Sequence, residues 1–213
     1  VRVESSGTSI KLNVGGLIGR STHNTNYDEL PLIVNCYSRS TVFADATDSD
    51  CYTIAGGLVG VLKQSSVQYC YATGTVTAKS NYSKAYAGGF AGEVTDCADG
   101  GYVKNVFATG NVYARGNYSG AERKYSMFGR FCGTESNNVF LKIYYNKDSG
   151  FKEGLTGTET KWNTSWYTGK TVSQLKTASF QKNELGLSAS IWNISDNAYP
   201  TLKIITDTDL FPD

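Results

Sequence analysis

AGGLVGVLKQSSVQYCYATGTV, residues 55–76, holds two short motifs that return together further along the chain. The second copy is AGGFAGEVTDCADGGYVKNVFATGNV, at residues 87–112. The glycines, an aromatic residue and a closing valine are kept, whereas the residues between them differ. Self-similarity at a period of about 20–50 residues indicates a repeat architecture.

Each motif occurs four times. The glycine motif is VGGLIG at 14–19, AGGLVG at 55–60, AGGFAG at 87–92 and FGRFCG at 128–133. The aromatic motif is IVNCYSRSTV at 33–42, VQYCYATGTV at 67–76, VKNVFATGNV at 103–112 and a degenerate FLKIYYNKDS at 140–149. The spacing between motifs varies while their lengths hold, so we expect short strands joined by variable connections. Such strands bury their apolar faces only by stacking on neighbouring copies.

Long connections between the copies indicate parallel rather than hairpin pairing. The sequence therefore predicts an all-β protein, a parallel β-helix (β-solenoid) of about four rungs with a small C-terminal cap containing a short helix. We assign residues 1–150 to the solenoid and residues 151–213 to the capping segment.

Stacking the copies places like residues in columns. Strand alternation puts three small, apolar columns on the inner face and one aromatic column on the outer face. Cys36 and Cys70 share a column, and in-register cysteines are slightly too far apart for easy bridging, so buried free thiols are expected. The columns predicted to face inward are Cys36, Cys70, Val106 and Ile143; Ser38, Ala72, Ala108 and Tyr145; and Val42, Val76 and Val112. Two further columns, with no face assigned, are Leu17, Leu58, Phe90 and Phe131; and Ile18, Val59, Ala91 and Cys132. The predicted outer column is Tyr37, Tyr71, Phe107 and Tyr144.

The glycines of the motif have a backbone explanation. A paired glycine beside a strand marks a positive φ or a close approach of chain segments at a corner. A phosphate-binding loop is the alternative, but GGLVG lacks the spacing of nucleotide-binding loops and does not open a helix.

The last third of the sequence differs from the repeats. Thr171 and Gln174 form a capping-box pattern that predicts a short helix at about 172–180, and IWNI and TLKII read as two strands. An open solenoid end invites aggregation, and Trp192, Tyr199 and Leu202 are suited to plug it. A glycan site at Trp162 and Trp166 is the alternative.

Composition narrows the function classes. The chain of 213 residues carries 20 basic and 19 acidic side chains, which argues against nucleic acid as the main partner. No apolar run has the length of a membrane span. Five cysteines without CxxC spacing and one histidine argue against a zinc site. The chain opens on VRVESSG, which reads as mid-strand, so we expect an excised fragment or a chain without its leader.

The order of the motifs resembles the GLUG repeat. GGLVG followed by CYATGTV is similar to the repeats of large bacterial surface proteins, notably of gut Bacteroidetes, and of streptococcal IgA1-cleaving metallopeptidases. The resemblance covers roughly residues 1–150, and the segment at 180–204 is similar to the one that closes many such arrays. It implies a β-helical module at the extracellular bacterial cell surface. It does not imply catalysis, since the metallopeptidase motif HExxH is absent here.

Catalytic and metal-binding candidates are few. His23 is the single histidine, and a lone loop histidine is usually a solvated surface residue. The acids cluster in predicted loops, and no acid column is expected within the strands, so we expect no enzyme. Asp45, Asp48 and Asp50 in DATDSD are the candidate Ca²⁺ ligands, with a solvated acidic loop as the alternative because the EF-hand spacing is missing. No other cofactor is expected.

Polar segments at 43–54, 77–86 and 113–125 are expected to leave the same edge of the solenoid as loops. Binding usually resides on such grouped loops. NYS occurs at 81–83 and at 117–119, each five residues after a repeat valine, so the two copies should lie close together. The candidate contact residues are Tyr52, Asn81, Tyr82, Asn117 and Tyr118.

Three functions remain open at this point. The first is a non-catalytic extracellular module for adhesion or ligand binding, whose partner would be a glycan or a host or cell-surface protein. The second is a structural stalk that spaces other domains of a larger surface protein. The third is a β-helical carbohydrate-active enzyme, which would need two carboxylates converging in a cleft.

Overall fold

The structure is a computed structural model that describes residues 1–6, 11–24, 26, 29–48, 51–95, 101–117, 122–125, 127–132, 140–149 and 167–203. Over these residues the chain coils through four turns, and each turn contributes strands to four parallel sheets. The predicted parallel β-helix of about four rungs is confirmed.

Each of the four sheets contains one strand position from every turn. Sheet A contains β1 (Arg2–Ser5), β6 (Val42–Ala46), β10 (Val76–Ser80) and β14 (Val112–Arg115). Sheet B contains β2 (Lys11–Gly15), β7 (Tyr52–Gly56), β11 (Ala85–Gly88) and β15 (Glu122–Tyr125). Sheet C contains β3 (Ile18–Thr22), β8 (Val59–Lys63), β12 (Ala91–Thr95) and β16 (Phe128–Cys132). Sheet D contains β4 (Leu32–Val34), β5 (Tyr37–Ser38), β9 (Ser66–Ala72), β13 (Val103–Ala108), β17 (Phe140–Asn146) and β18 (Tyr167–Lys170).

The strands of sheets A and B at residues 43–54, 77–86 and 113–125 were not expected. The segments at 43–54, 77–86 and 113–125 were predicted to be loops, but they consist largely of the strands of these two sheets. The prediction was wrong because outward-facing polar residues alternate with small inward ones. In β10 the pattern of TVTAKS buries Val76, Ala78 and Ser80, and a strand with one solvated face reads as polar.

Most predicted columns are confirmed by the strand register. Val76 pairs with Val42 and Val112, and all three side chains are fully buried. Val106 pairs with Cys70 and Ile143 in sheet D, and Ala72 pairs with Ser38 and Ala108. The buried apolar side chains therefore form clusters that run continuously from turn to turn.

The predicted alignment of the fourth glycine motif is wrong by four residues. Ala91 pairs with Phe128, whereas Phe131 and Cys132 lie opposite Val94 and Thr95. Met127 takes the place after Leu17, Leu58 and Phe90, because its carbonyl accepts from the N–H groups of Phe90 and Ala91 as theirs do in earlier turns. The closing glycine sets this register: a Cβ at Gly129 would lie 2.6 Å from the Gly92 oxygen.

Close backbone approach, not positive φ, explains the glycines of the motif. A Cβ at Gly60 would lie 2.3 Å from the Gly19 oxygen and 2.9 Å from the Val14 nitrogen. A Cβ at Gly56 would lie 1.9 Å from the Val59 oxygen. Sheets B and C therefore touch backbone to backbone at this corner in consecutive turns.

A second backbone feature repeats in every turn of sheet D. Asn35, Tyr69, Asn105 and Lys142 occupy equivalent positions and have φ values of 53°, 54°, 56° and 54°. Asparagine tolerates this left-handed conformation better than tyrosine or lysine. It also directs side chains outward, since Asn35 accepts from Trp192 Nε1 at 3.2 Å and Asn105 donates to the Leu185 oxygen at 2.9 Å.

Residues 171–203, which we call the flanking segment, pack along the outer face of sheet D. The segment contains α1 (Val172–Leu175), a π-helix (Phe180–Glu184) and the antiparallel strands β19 (Trp192–Asn193) and β20 (Thr201–Leu202). The predicted capping box is confirmed, with Thr171 Oγ1 accepting from the Gln174 N–H. The helix ends at Leu175, earlier than predicted, and the π-helix begins at Phe180.

The outer aromatic column is covered by this segment. Tyr71 stacks between Tyr37 and Phe107, with ring centroids 5.0 and 4.7 Å away. Trp192 lies over Tyr37 and Tyr71, and Phe180 meets Tyr144 edge to face at 4.9 Å. Such aromatic pairs each add about 0.5–1.5 kcal/mol beyond their area burial.

The expectation that Trp192, Tyr199 and Leu202 plug the solenoid end is therefore wrong. Trp192 is buried against the side of the solenoid, and Tyr199 also packs on the column, 5.9 Å from the ring of Phe107. Leu202 is 37% exposed. The flanking segment lies along the side of the solenoid because it covers the rings of the outward aromatic column. At the solenoid end, β18 extends sheet D by pairing with β17.

Replacing Lys142 with glycine should stabilise the fold by about 0.5–1 kcal/mol, because glycine adopts a positive φ without strain. The Lys142 side chain is exposed, so few contacts are lost. Chemical denaturation measures the change. Lys142→Ala retains the strain and should give no gain; equal stabilisation by both variants would contradict the explanation.

Stability should fall as pH rises from about 10 to 12, because burial raises the pKa of both Tyr71 and Tyr144 to about 12. Below pH about 10 both phenols are neutral whether the chain is folded or unfolded. Above it the unfolded chain ionises first, so the folded state loses stability. Thermal unfolding between pH 9 and 12 should show a shallower decline for Tyr71→Phe and Tyr144→Phe; an unchanged slope would contradict the assignment.

Candidate functional site

A groove of about 240 Å³ lies on the outside of the solenoid, between the outer faces of sheets B and C. We call it the outer groove. It crosses the first three turns, and each turn contributes residues from both sheets. The lining residues are Lys11, Asn13, Arg20, Tyr52, Ile54, Val61, Lys84, Tyr86 and Glu93.

The register of the repeat places these side chains. In sheet B, Lys11 pairs with Tyr52, and Asn13 and Tyr86 pair with Ile54 from either side. In sheet C, Arg20 and Glu93 both pair with Val61. The glycine corner brings these two outward faces together. The same contact that closes the solenoid therefore forms the groove.

The floor of the outer groove is packed and apolar. Ile54, Val61 and Tyr86 form a small cluster of their own, separate from the inner core, and each is at most 5% exposed. Outward-facing residues of a solenoid are usually solvated. Their burial here shows that the two outer faces meet closely and give the groove a rigid base.

Basic side chains surround this floor. The Lys11 and Lys84 ammonium groups lie 6.0 and 5.6 Å from the centroid of the Tyr52 ring. Among the described residues, Lys11, Arg20 and Lys84 form no ion pair. Glu93 is the one carboxylate among the described lining residues. Cation–π contacts at exposed sites contribute only about 0.5–1 kcal/mol, so these ammonium groups remain open to a stronger anionic partner.

Asn13 adds a polar group without a partner. Its Oδ1 atom is buried, and none of the described residues donates a hydrogen bond to it. An unsatisfied buried acceptor costs about 1–3 kcal/mol, so such atoms are uncommon. A hydroxyl or amide group of a ligand in the groove would supply the donor.

The structure separates the contact residues predicted from the sequence. Tyr52 lines the outer groove, but Asn81, Tyr82 and Asn117 lie at the turns after β10 and β14, outside its lining. The predicted proximity of the two NYS copies is confirmed for the described part, because the Asn117 N–H donates to the Ser83 oxygen at 3.4 Å. Tyr118, Trp162 and Trp166 lie outside the described residues.

The calcium candidates are only partly described. Asp45 belongs to β6 and Asp48 follows it, whereas Asp50 lies outside the described residues. No group of three or more histidine, cysteine, aspartate or glutamate residues that could hold a metal was found among the residues described. The calcium site stays a prediction.

Sheet A corrects the expectation that no acidic residues would stack on one another within the strands. Glu4 and Asp45 face each other in register on β1 and β6, so acids do pair within strands. The same column continues with Lys79, and Glu4 is bound by Arg2 at 2.5 Å. This pair lies on the outer face of sheet A rather than in the groove.

Sequence reasoning missed the three basic residues of the groove, although a positional signal marks them. Lys11, Tyr52 and Lys84 each stand four residues before the first glycine of a motif copy. Arg20, Val61 and Glu93 each stand directly after the closing glycine. These fixed offsets would have shown that six side chains line one corner.

Cys36 and Cys70 are free thiols, as expected. The Cys36 N–H donates to Cys70 Sγ at 3.3 Å. Burial raises the pKa of Cys70, and the hydrogen bond with Cys70 lowers the pKa of Cys36 to about 7. Both belong to sheet D and lie away from the outer groove.

Comparison with known families supports the repeat assignment. Residues 52–77 match the family model of the GLUG motif, which covers β7, β8, β9 and the start of β10, nearly one turn. The resemblance to GLUG-repeat proteins is therefore confirmed. Neither a curated protein nor a solved structure matches the chain. Within the described part of the chain, no helix combines the length and apolarity that a membrane span requires.

Proposed function

We propose that this chain is a non-catalytic ligand-binding module of an extracellular protein at the bacterial cell surface, and that the outer groove is its binding site. The observation that carries the proposal is a packed apolar floor combined, in one concavity, with basic groups that form no ion pair with any described residue. Sites of this kind, with an apolar base and a few placed polar groups, are typical of ligand recognition.

Two features support binding rather than catalysis. Glu93 is the only carboxylate among the described residues of the groove, whereas glycoside cleavage uses a pair. The lining residues also come from three successive turns. Strand pairing between these turns fixes the distances between the residues. An adhesion role follows if the ligand is carried by another cell or by a matrix.

A structural stalk is the second candidate. The continuous stacking of four described turns favours it, since a stacked core alone gives a stiff spacer. A stalk requires no particular residue in the outer groove. Substitutions there would then leave the function of the whole protein unchanged.

Tyr52→Ala tests the binding proposal, because Tyr52 separates the two lysines at the centre of the groove. Binding to a glycan array and to immobilised surface proteins should fall at least tenfold. Tyr113→Ala is the matched control, since Tyr113 lies on β14 and is 51% exposed outside the groove. Equal binding by both variants, or no binding by the unmodified chain, would contradict the proposal.

A further inference from the structure

The distribution of charged residues along the outer groove indicates which class of ligand binds there. Lys11 and Arg20 belong to the first turn, and Lys84 to the third. In the fourth turn, register places Arg123 next to Tyr86 and Arg130 next to Glu93. Basic residues therefore recur at these register positions in three of the four described turns, in a chain whose net charge is only +1.

The spacing of these positions suits an extended ligand. Neighbouring strands lie about 4.8 Å apart, so Lys11 and Lys84, two strands apart in sheet B, are separated by about 10 Å along the axis. A single small anion cannot reach both. A linear chain lying along the groove would meet a basic group at intervals, with the Tyr52 ring between two of them.

The polar floor adds a second requirement. The buried Asn13 Oδ1 has no hydrogen-bond donor among the described residues, and it needs one from a bound ligand. A hydroxyl group meets that requirement, whereas a phosphate or carboxylate oxygen does not. A ligand that carries both negative charges and hydroxyl donors therefore fits this lining.

We propose that the outer groove binds an acidic polysaccharide, a linear glycan whose sugar units carry carboxylate groups. This inference rests on the proposed function and specifies its ligand. Carboxylates pair with Lys11, Arg20 and Lys84, and a sugar hydroxyl donates to Asn13 Oδ1. Nucleic acid is disfavoured because the chain is almost neutral, whereas nucleic-acid binding needs a clustered basic surface.

Binding of the intact chain to polygalacturonate, measured by calorimetry, tests the proposal. Neutral dextran serves as the uncharged comparison, and dextran sulfate and single-stranded DNA serve as polyanions without carboxylates. We expect polygalacturonate to bind, with affinity falling as salt is raised from 50 to 300 mM. Dextran should not bind, and dextran sulfate and DNA should bind at least tenfold more weakly.

The double variant Lys11→Gln/Lys84→Gln should weaken binding by about tenfold or more, because each charge-assisted contact is lost. Lys142→Gln/Lys147→Gln removes the same charge from exposed lysines away from the groove and should bind normally. Asn13→Leu should also weaken binding, since it removes the acceptor. Circular dichroism melts confirm that each variant is folded.

The outcomes separate the inference from the proposed function. Dextran binding that depends on Tyr52 would overturn the acidic ligand while leaving a ligand-binding groove in place. Equal or tighter binding of dextran sulfate or DNA, weakened by the same lysine variants, would overturn the carboxylated sugar. If Lys142→Gln/Lys147→Gln reduced polygalacturonate binding as much as the groove variant, the placement of the binding site in the outer groove would be overturned. Failure of all four polymers to bind would overturn the acidic-polysaccharide inference, and the array experiment with Tyr52→Ala would still decide the proposed function.

Discussion

Backbone contact at the glycine corner is the constraint on which the rest of the structure depends. At Gly60 and Gly92 the chain passes very close to the sheet B strand of the preceding turn. A Cβ on either glycine would lie within 3 Å of backbone atoms of that strand. Glycine is required there for space, not for an unusual φ. This contact turns the chain sharply from sheet B to sheet C, closes each turn, and folds two outer faces into one groove.

Stacking then supplies most of the stability. A turn of this length cannot bury its apolar residues alone, and each buries them against the next. The flanking segment adds a lateral interaction that spans all four turns of sheet D, from Asn35 in the first to Tyr144 in the fourth. It holds the turns together along one side, while the opposite corner between sheets B and C remains open to ligand.

The features of the fold that could be predicted from the sequence are those that repeat along the chain. Residues that recur in like positions, such as Val42, Val76 and Val112, gave the parallel register correctly. The fourth glycine motif was misaligned because its surviving glycine is the closing one, which only the backbone contact at Gly129 explains. The groove was missed except for Tyr52, because its basic residues differ in type from turn to turn and share only their distance from the glycines. The position of the flanking segment depends on long-range packing that local patterns do not encode.

The most direct test compares Gly92→Ala with Gly19→Ala by chemical denaturation. Both glycines close a copy of the motif, but a Cβ at Gly92 would lie 2.8 Å from Ala55 backbone atoms, whereas one at Gly19 would meet only the Asn13 oxygen at 3.1 Å. The corner contact predicts that Gly92→Ala lowers the free energy of unfolding by about 2–3 kcal/mol and that Gly19→Ala lowers it by much less. Equal, small effects of the two substitutions would contradict the claim that backbone contact at this corner builds the solenoid and its groove.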